Sequence, residues 1–302
     1  MLGTSHRRDY VKLHFIVFLW GMTAILGRAI DLPAVEVVTY RVGMAAAVLA
    51  VIMRRGLRIP RLAAVQLTAT GGLIGLHWIL FFLAVKISNV SVCMVGVATV
   101  SLWTAIVEPL LIRGRRVQPM DLAFGICVIG AVALIFQSQL KFANGFLVAI
   151  AAAMVGAIFS VINGLFAQRY DHRTITFYEM VGAFVFCVLC LPISARWLSG
   201  GRGIDLVPTA WDLANLIILA TMCTVYAYSE YVELLKRMSV FTVNFANNLE
   251  PVYGMILAAI IFGEYETLDW RFYAGASAIA ILVLAQSQMK RRKPSSVSVT
   301  TI

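Results

Sequence analysis

Two ionisable side chains interrupt stretches that are otherwise largely apolar: Arg41 inside LPAVEVVTYRVGMAAAVLAVI and Glu250 inside VFTVNFANNLEPVYGMILAAIIF. At bilayer depth such a charge costs roughly 2.5–3.5 kcal/mol on insertion scales, so it faces a cavity, a partner or a ligand. A guanidinium can clamp a carboxylate or phosphate through two parallel hydrogen bonds. The competing reading of Arg41 is a permanent ion pair with Glu250 or Glu108 that neutralises both and ties helices together. A carboxylate at Glu250 can receive an ammonium group. This chemistry is recognition of a polar solute within a membrane.

The neighbours of Glu250 extend that surface. Asn247 and Tyr253 stand at i−3 and i+3, and Asn244 one turn earlier, so the four share a broad helical face. Pro251 has no N–H and clashes with the carbonyl of Asn247, which predicts a freed acceptor beside these side chains. Alternatively the proline is a kink whose asparagines bond neighbouring helices. Tyr226, Glu230 and Glu233 recur at i, i+4 and i+7, one stripe of a helix. Glu233, beside Lys236 and Arg237, reads as an interfacial salt-bridge partner, and Glu230, a turn deeper, as a receiver of an ammonium or a proton. Trp20, His77 and Asn163 complete the candidate solute contacts; the histidine either titrates near neutrality or bonds a neighbouring helix. Trp78 reads as part of an interfacial aromatic belt. Glu36, Glu108 and Glu179 fall within about one turn of a span boundary, in reach of headgroups or loop arginines.

The elements that must carry these residues follow from composition. The chain is 61% apolar and 13% charged with mean hydropathy +0.86, whereas soluble domains are about 45–50% apolar and about 25% charged. Ten segments are long enough to span a bilayer: 11–30, 33–53, 63–84, 88–112, 119–136, 143–167, 174–194, 211–235, 240–262 and 268–288. Each is expected to be a helix, giving an all-α integral membrane protein with short loops. The first segment, preceded by His6, Arg7 and Arg8, is too long for a secretory leader and lacks a small-x-small cleavage pattern. The residues after Met289, basic and then Ser/Thr-rich, read as a disordered tail over 290–302.

The net charge of +10 is not a nucleic-acid signature, because its distribution follows the loops. Alternating the loops between two sides puts eighteen Lys and Arg on one and six on the other, with Arg41 inside a span. The crowded side is the cytoplasmic one, and it holds both termini. All five cysteines lie in predicted spans, and Cys187-x-x-Cys190 has no second pair or histidine cluster to make a metal site. No catalytic, nucleotide or cofactor motif is present.

The chain also resembles itself. Tyr40-Arg41-Val42-Gly43 falls on Glu179-Met180-Val181-Gly182 at a shift of 139, and Ser101-Leu102 on Glu250-Pro251 and Gly114 on Gly263 at 149. Lys86 and Lys236 close the third and eighth spans ahead of serine-bearing starts. A five-span unit used twice must insert its second copy from the opposite face, because five is odd. Inverted repeats of this kind place a solute site between halves that can exchange inward-open and outward-open shapes. The expected division is 1–138 and 139–289, followed by the tail.

Residues Ser239-Val240-Phe241-Thr242-Val243-Asn244, Asn248-Leu249-Glu250-Pro251-Val252-Tyr253-Gly254 and Phe262-Gly263-Glu264 resemble the signature of the EamA family of the drug/metabolite transporter superfamily. The Leu19-Trp20-Gly21 step is similar to that family's opening, while Leu102 replaces an expected proline and Arg115 stands where the second half has Glu264. The resemblance implies a ten-helix carrier of the bacterial inner membrane, often an exporter of amino acids or related metabolites. It also implies a cavity lined mainly by the first, third and fourth helices and their repeat mates, with the fifth and tenth peripheral. The expectation is a secondary transporter of a small polar or zwitterionic metabolite in contact with lipid and with no nucleic acid, metal or cofactor. Proton or ion coupling and homodimerisation stay open. The rival readings are a lipid-linked flippase, needing a groove open to lipid, and an intramembrane enzyme, needing catalytic groups clustered at one interface.

Overall fold

Lipid gives a backbone no hydrogen-bond partners, so an apolar chain must satisfy its N–H and C=O groups segment by segment, as helices do. The computed structural model describes residues 4–53, 58–112, 114, 116–136, 142–198, 203–263 and 269–292, and every regular element among them is helical. Arg54, Arg55, Arg113, Arg115, Lys141, Arg202, Glu264 and residues 293–302 lie outside the described residues. The elements are α1 (Thr4–Ala29), α2 (Ala34–Met53), α3 (Arg61–Ile87), α4 (Val90–Val97), α5 (Val100–Leu111), α6 (Pro119–Phe136) and α7 (Ala143–Ala167). They continue with α8 (His172–Ile193), α9 (Ala210–Ala220), α10 (Ala227–Leu234), α11 (Val240–Ala246), α12 (Glu250–Phe262) and α13 (Trp270–Arg292).

Among the described residues eight helical stretches are long and apolar enough to cross a membrane: Arg8–Ala29, Ala34–Met53, Arg61–Ile87, Val90–Leu111, Ala143–Ala167, His172–Leu198, Ala210–Leu234 and Val240–Phe262. These match eight of the ten expected spans. The fifth and tenth are represented by shorter apolar helical stretches, Pro119–Ile135 and Tyr273–Leu282. These two belong to α6 and α13, which pack on each other, with Gly275 seated against the Ala131 carbonyl and Ile135. Helix α13 continues to Arg292, so Lys290–Arg292 are helical rather than the start of a tail. Large apolar side chains such as Leu110, Ile260 and Leu189 are more than two-thirds exposed, as a lipid-facing surface requires.

Local sequence sets the boundaries. Asn89 accepts from the Val92 N–H at 2.8 Å to cap α4, and Ser239 accepts from Thr242 N–H at 3.1 Å to cap α11. Thr209 and Asp212 form a reciprocal capping box at α9, and Asp212 also accepts from the Asp31 N–H at 2.9 Å, tying the α1–α2 turn to it. Helices come closest where side chains are absent. A methyl group at Gly182 would collide with the Thr68 carbonyl and one at Gly71 with that of Glu179, so α3 and α8 cross almost backbone to backbone. Gly21 of α1 sits likewise against Glu250, Tyr253 and Gly254 of α12.

Among the described residues three spans are interrupted near their middle, whereas the π-turn at Ser194–Leu198 lies at the end of its span. The fourth breaks at Ala98–Thr99, between α4 and α5. The ninth breaks in a 3₁₀ turn at Asn247–Leu249, between α11 and α12, and the eighth widens into a π-turn at Thr221–Tyr226, between α9 and α10. These irregularities surround the cavity described next.

A polar cavity between the broken helices

Three asparagines and a proline make the ninth span a poor α-helix at its middle. The 3₁₀ turn resolves the conflict differently from the expected freed carbonyl, because the Glu250 N–H donates to the Asn247 carbonyl. The acceptor beside Pro251 is therefore occupied. The break instead turns the side chains. Asn244 donates through Nδ2 to Thr104 Oγ1 at 2.9 Å, and Asn248 to Ser101 Oγ at 3.0 Å, stitching the two broken spans together. Asn247 donates to Asn244 Oδ1 at 3.5 Å and leaves its own Oδ1 buried without a partner. Glu250 opens α12, where the N–H ends of the helix favour its negative charge. Its carboxylate has no hydrogen bond or ion pair among the described residues.

Asn244, Asn247 and Glu250 form one side of a cavity with ≈ 610 Å³ of unfilled space, part of it open to solvent. Across it lie Trp20 and Thr23 of α1, Arg41 of α2, His77, Trp78 and Phe81 of α3, Phe159 and Ser160 of α7, and Tyr228 and Tyr231 of α10. Arg41 is only 1% exposed and has no carboxylate within 4.0 Å among the described residues. The expected permanent ion pair with Glu250 or Glu108 is therefore not formed. Neutral groups hold the guanidinium instead. Its Nε donates to Thr224 Oγ1 at 2.7 Å, its Nη2 to the Cys223 carbonyl at 3.3 Å, and its plane lies 3.9 Å from the Trp78 ring centroid. Its Nη1 is buried with no acceptor. The π-turn supplies both anchors, since Thr224 passes its own proton back to the Leu219 carbonyl at 2.9 Å. Trp20 donates through Nε1 to the same Cys223 carbonyl at 3.2 Å.

His77 Nδ1 lies 2.7 Å from the Ala152 carbonyl. A carbonyl only accepts, so Nδ1 carries hydrogen, and in the neutral ring Nε2 is left as an acceptor. Tyr231 donates to Ser160 Oγ at 2.8 Å and lies 5.1 Å from the Trp20 ring. The cavity thus offers one free cationic N–H, one free carboxylate, an imidazole acceptor and a tryptophan–tyrosine wall.

Of the residues expected from sequence, Trp20, Arg41, His77, Asn244, Asn247 and Glu250 line this cavity. Four stand elsewhere. Tyr226 is 39% exposed against Phe15 on the outer surface, and Tyr253 fills the α1–α12 seam against Phe18. Glu230 is paired with Lys12 of α1, so the ammonium it receives belongs to the chain. It lies two residues from Tyr228, about 200° round a helix of 3.6 residues per turn, and so points away from the cavity. Asn163 is fully buried and donates to Tyr228 Oη at 2.6 Å. Sequence reasoning placed Trp78 in an interfacial belt and passed over Ser160, Tyr228 and Tyr231, all of which line the cavity. Trp78 is 7% exposed beneath Arg41, not in an interfacial belt. Glu36 and Glu179 are also fully buried, the first accepting from Ser194 Oγ at 2.9 Å. Glu233, as expected, sits 2.8 Å from Lys236.

Apolar helices closed around a mid-span cavity that carries Arg41 and Glu250 define a multi-pass membrane protein. The EamA-like transporter family model matches residues 143–286, a stretch that includes the motif residues 239–264. An uncharacterized transporter of Vibrio cholerae is 22% identical over 265 residues, covering 83% of each chain. A protein of known crystal structure shares the fold with a TM-score of 0.70 over 96% of this chain and 99% of its own, at 16% identity. Family and relative both point to a transporter rather than an enzyme.

Proposed function

We propose that this protein is a secondary carrier of a small zwitterionic metabolite, an amino acid or a molecule like it. In this reading α6 and α13 also cross the bilayer, giving ten spans arranged as two inverted five-helix repeats, 1–138 and 139–289. The supporting feature is that the mid-span breaks at Ala98–Thr99 and Asn247–Leu249 are offset by the same 149 residues as the sequence repeat. The charge asymmetry of the loops argues for both termini in the cytoplasm; the bacterial inner membrane and export as the direction of flow follow from the likeness to the EamA-like family.

One observation carries the substrate class. Arg41 and Glu250 line the same cavity with opposite charge, and neither is neutralised by the other or by any other ionised group within 4.0 Å. Two uncompensated charges in a low-dielectric site are stable together when a ligand brings the complementary pair. A solute carboxylate meets Arg41 Nη1, and its ammonium meets Glu250 and Asn247 Oδ1. Trp20 and His77 bound the space for the side chain, with Asn244 positioning Asn247.

The test is counterflow in proteoliposomes preloaded with a mixture of unlabelled amino acids and offered the same mixture labelled. Wild-type protein is expected to exchange at least one of them. Glu250→Gln is expected to lower that exchange by more than tenfold, and Arg41→Lys, which loses the planar two-hydrogen-bond fork, by a similar factor. Unchanged exchange in Glu250→Gln for every transported solute overturns the assignment.

A further inference from the structure

Behind the cavity wall lies a second acidic group that solute recognition does not use. Glu179 of α8 is fully buried, about 10 Å along its helix, and α3 seals it by crossing at Gly71. No Lys, Arg or His lies within 4.0 Å of its carboxylate among the described residues. Its Oε2 accepts from Tyr228 Oη at 3.0 Å and from Asn163 Nδ2 at 3.4 Å. Its Oε1 is buried with nothing to accept, and so is Asn163 Oδ1 in the same cluster.

A lone carboxylate buried in this way costs several kcal/mol and is relieved by taking up a proton. The unmatched atoms point the same way. Two acceptors lack a donor, and one proton on Glu179 Oε1 converts the first into a donor in the cluster that holds the second. Other charged groups on the elements packed against α8 make their contacts away from Glu179, though Arg41 Nη1 and Glu36 Oε1 stay unpartnered. Arg41 is bound to the π-turn, His77 to Ala152, Glu36 to Ser194, Glu230 to Lys12, and Glu233 to Lys236 and His172. Among the described residues the titratable side chains that face Glu179 are Tyr228 and Tyr231, and both rings line the cavity. Tyr228 therefore joins the buried carboxyl to the space the solute occupies.

We propose that Glu179 is the proton-carrying residue of this transporter, gated by Tyr228, so that the coupling ion is H⁺. In the sealed arrangement the carboxyl holds its proton. When α10 moves relative to α8 and water enters beside Tyr228, the O–H bond of Glu179 breaks and the proton passes to that water. The remaining carboxylate is held by the hydroxyl of Tyr228 and the amide of Asn163. This assignment rests on the carrier reading above.

Two measurements test it. The first needs no solute: infrared difference spectra of purified protein between acidic and alkaline pH. A carboxylic-acid carbonyl band that titrates in the wild type and vanishes in Glu179→Gln, but persists in Glu250→Gln, is expected. A spectrum unchanged by Glu179→Gln overturns the proposal. The second uses proteoliposomes and the labelled amino-acid mixture under an imposed pH gradient. Wild-type protein is expected to accumulate a solute at least tenfold over its exchange level. Glu179→Gln is expected to exchange without accumulating, and Tyr228→Phe, which keeps the carboxyl, to accumulate at least threefold less. Accumulation driven equally well in Glu179→Gln, or driven by a sodium gradient and not by pH, sinks it. If the wild type exchanges nothing, the carrier reading fails instead, while the infrared result still decides whether Glu179 binds a proton.

Discussion

Arg41 is held by groups that neither neutralise it nor exhaust its donors. Hydrogen bonds from a charged group are worth about 1.5–3 kcal/mol, so Thr224 Oγ1 is a substantial part of what fixes the guanidinium. Thr224→Val keeps the volume and removes that acceptor. It is expected to raise the half-saturation concentration of counterflow about tenfold, since about 1.4 kcal/mol is a factor of ten. The maximal rate is expected to change much less, because Val keeps the wall of the cavity. A variant with unchanged half-saturation would mean that the guanidinium is placed by Trp78 and the Cys223 carbonyl alone.

At the scale of elements, the cavity depends on helices that approach closely and on turns that depart from the α-helix. Gly182→Ala places a methyl against the backbone of α3 at Thr68, where no side chain can move aside. Overpacking typically costs about 1–3 kcal/mol, so a clearly lower thermal unfolding midpoint in detergent is expected. Gly130→Ala, with open space around it, is expected to match the wild type. This scale is also where the sequence was least legible. Hydropathy marks depth but not direction, because nearly every face of these spans is apolar. The i, i+4, i+7 stripe of Tyr226, Glu230 and Glu233 was real, but it faces α1 and the Lys236 end of its span, while the tyrosines between its members face the cavity. The π-turn that holds Arg41 leaves no signal in periodicity, since it is a local widening stabilised by tertiary contacts. Glu179 lies near a span end by count, and only the crossing of α3 makes it buried. What was legible follows from strong signals: eight long apolar runs, the deep charges Arg41 and Glu250, and the family motif at 239–264.

For the whole molecule, the account joins two halves around one space. Lining residues come from α1 to α5 in the first half and from α7, α10, α11, the 3₁₀ turn and α12 in the second, with none from α6 or α13 among the described residues. That distribution fits a pair of repeats that rock against each other while α6 and α13 pack together outside. It also fits a solute enclosed by protein better than a lipid headgroup sliding along a lateral groove, the geometry a flippase needs. Access from alternate faces is the claim on which carrier function depends. Val100 opens α5, lines the cavity and makes no side-chain hydrogen bond, so a thiol there reports water without disturbing the polar groups. The direct measurement is modification of Val100→Cys, in protein whose five native cysteines are replaced, by a membrane-impermeant thiol reagent applied to either face of oriented vesicles. Labelling from both faces is expected, with the balance shifted when a transported solute is added. Labelling from one face only, indifferent to every solute offered, would contradict it.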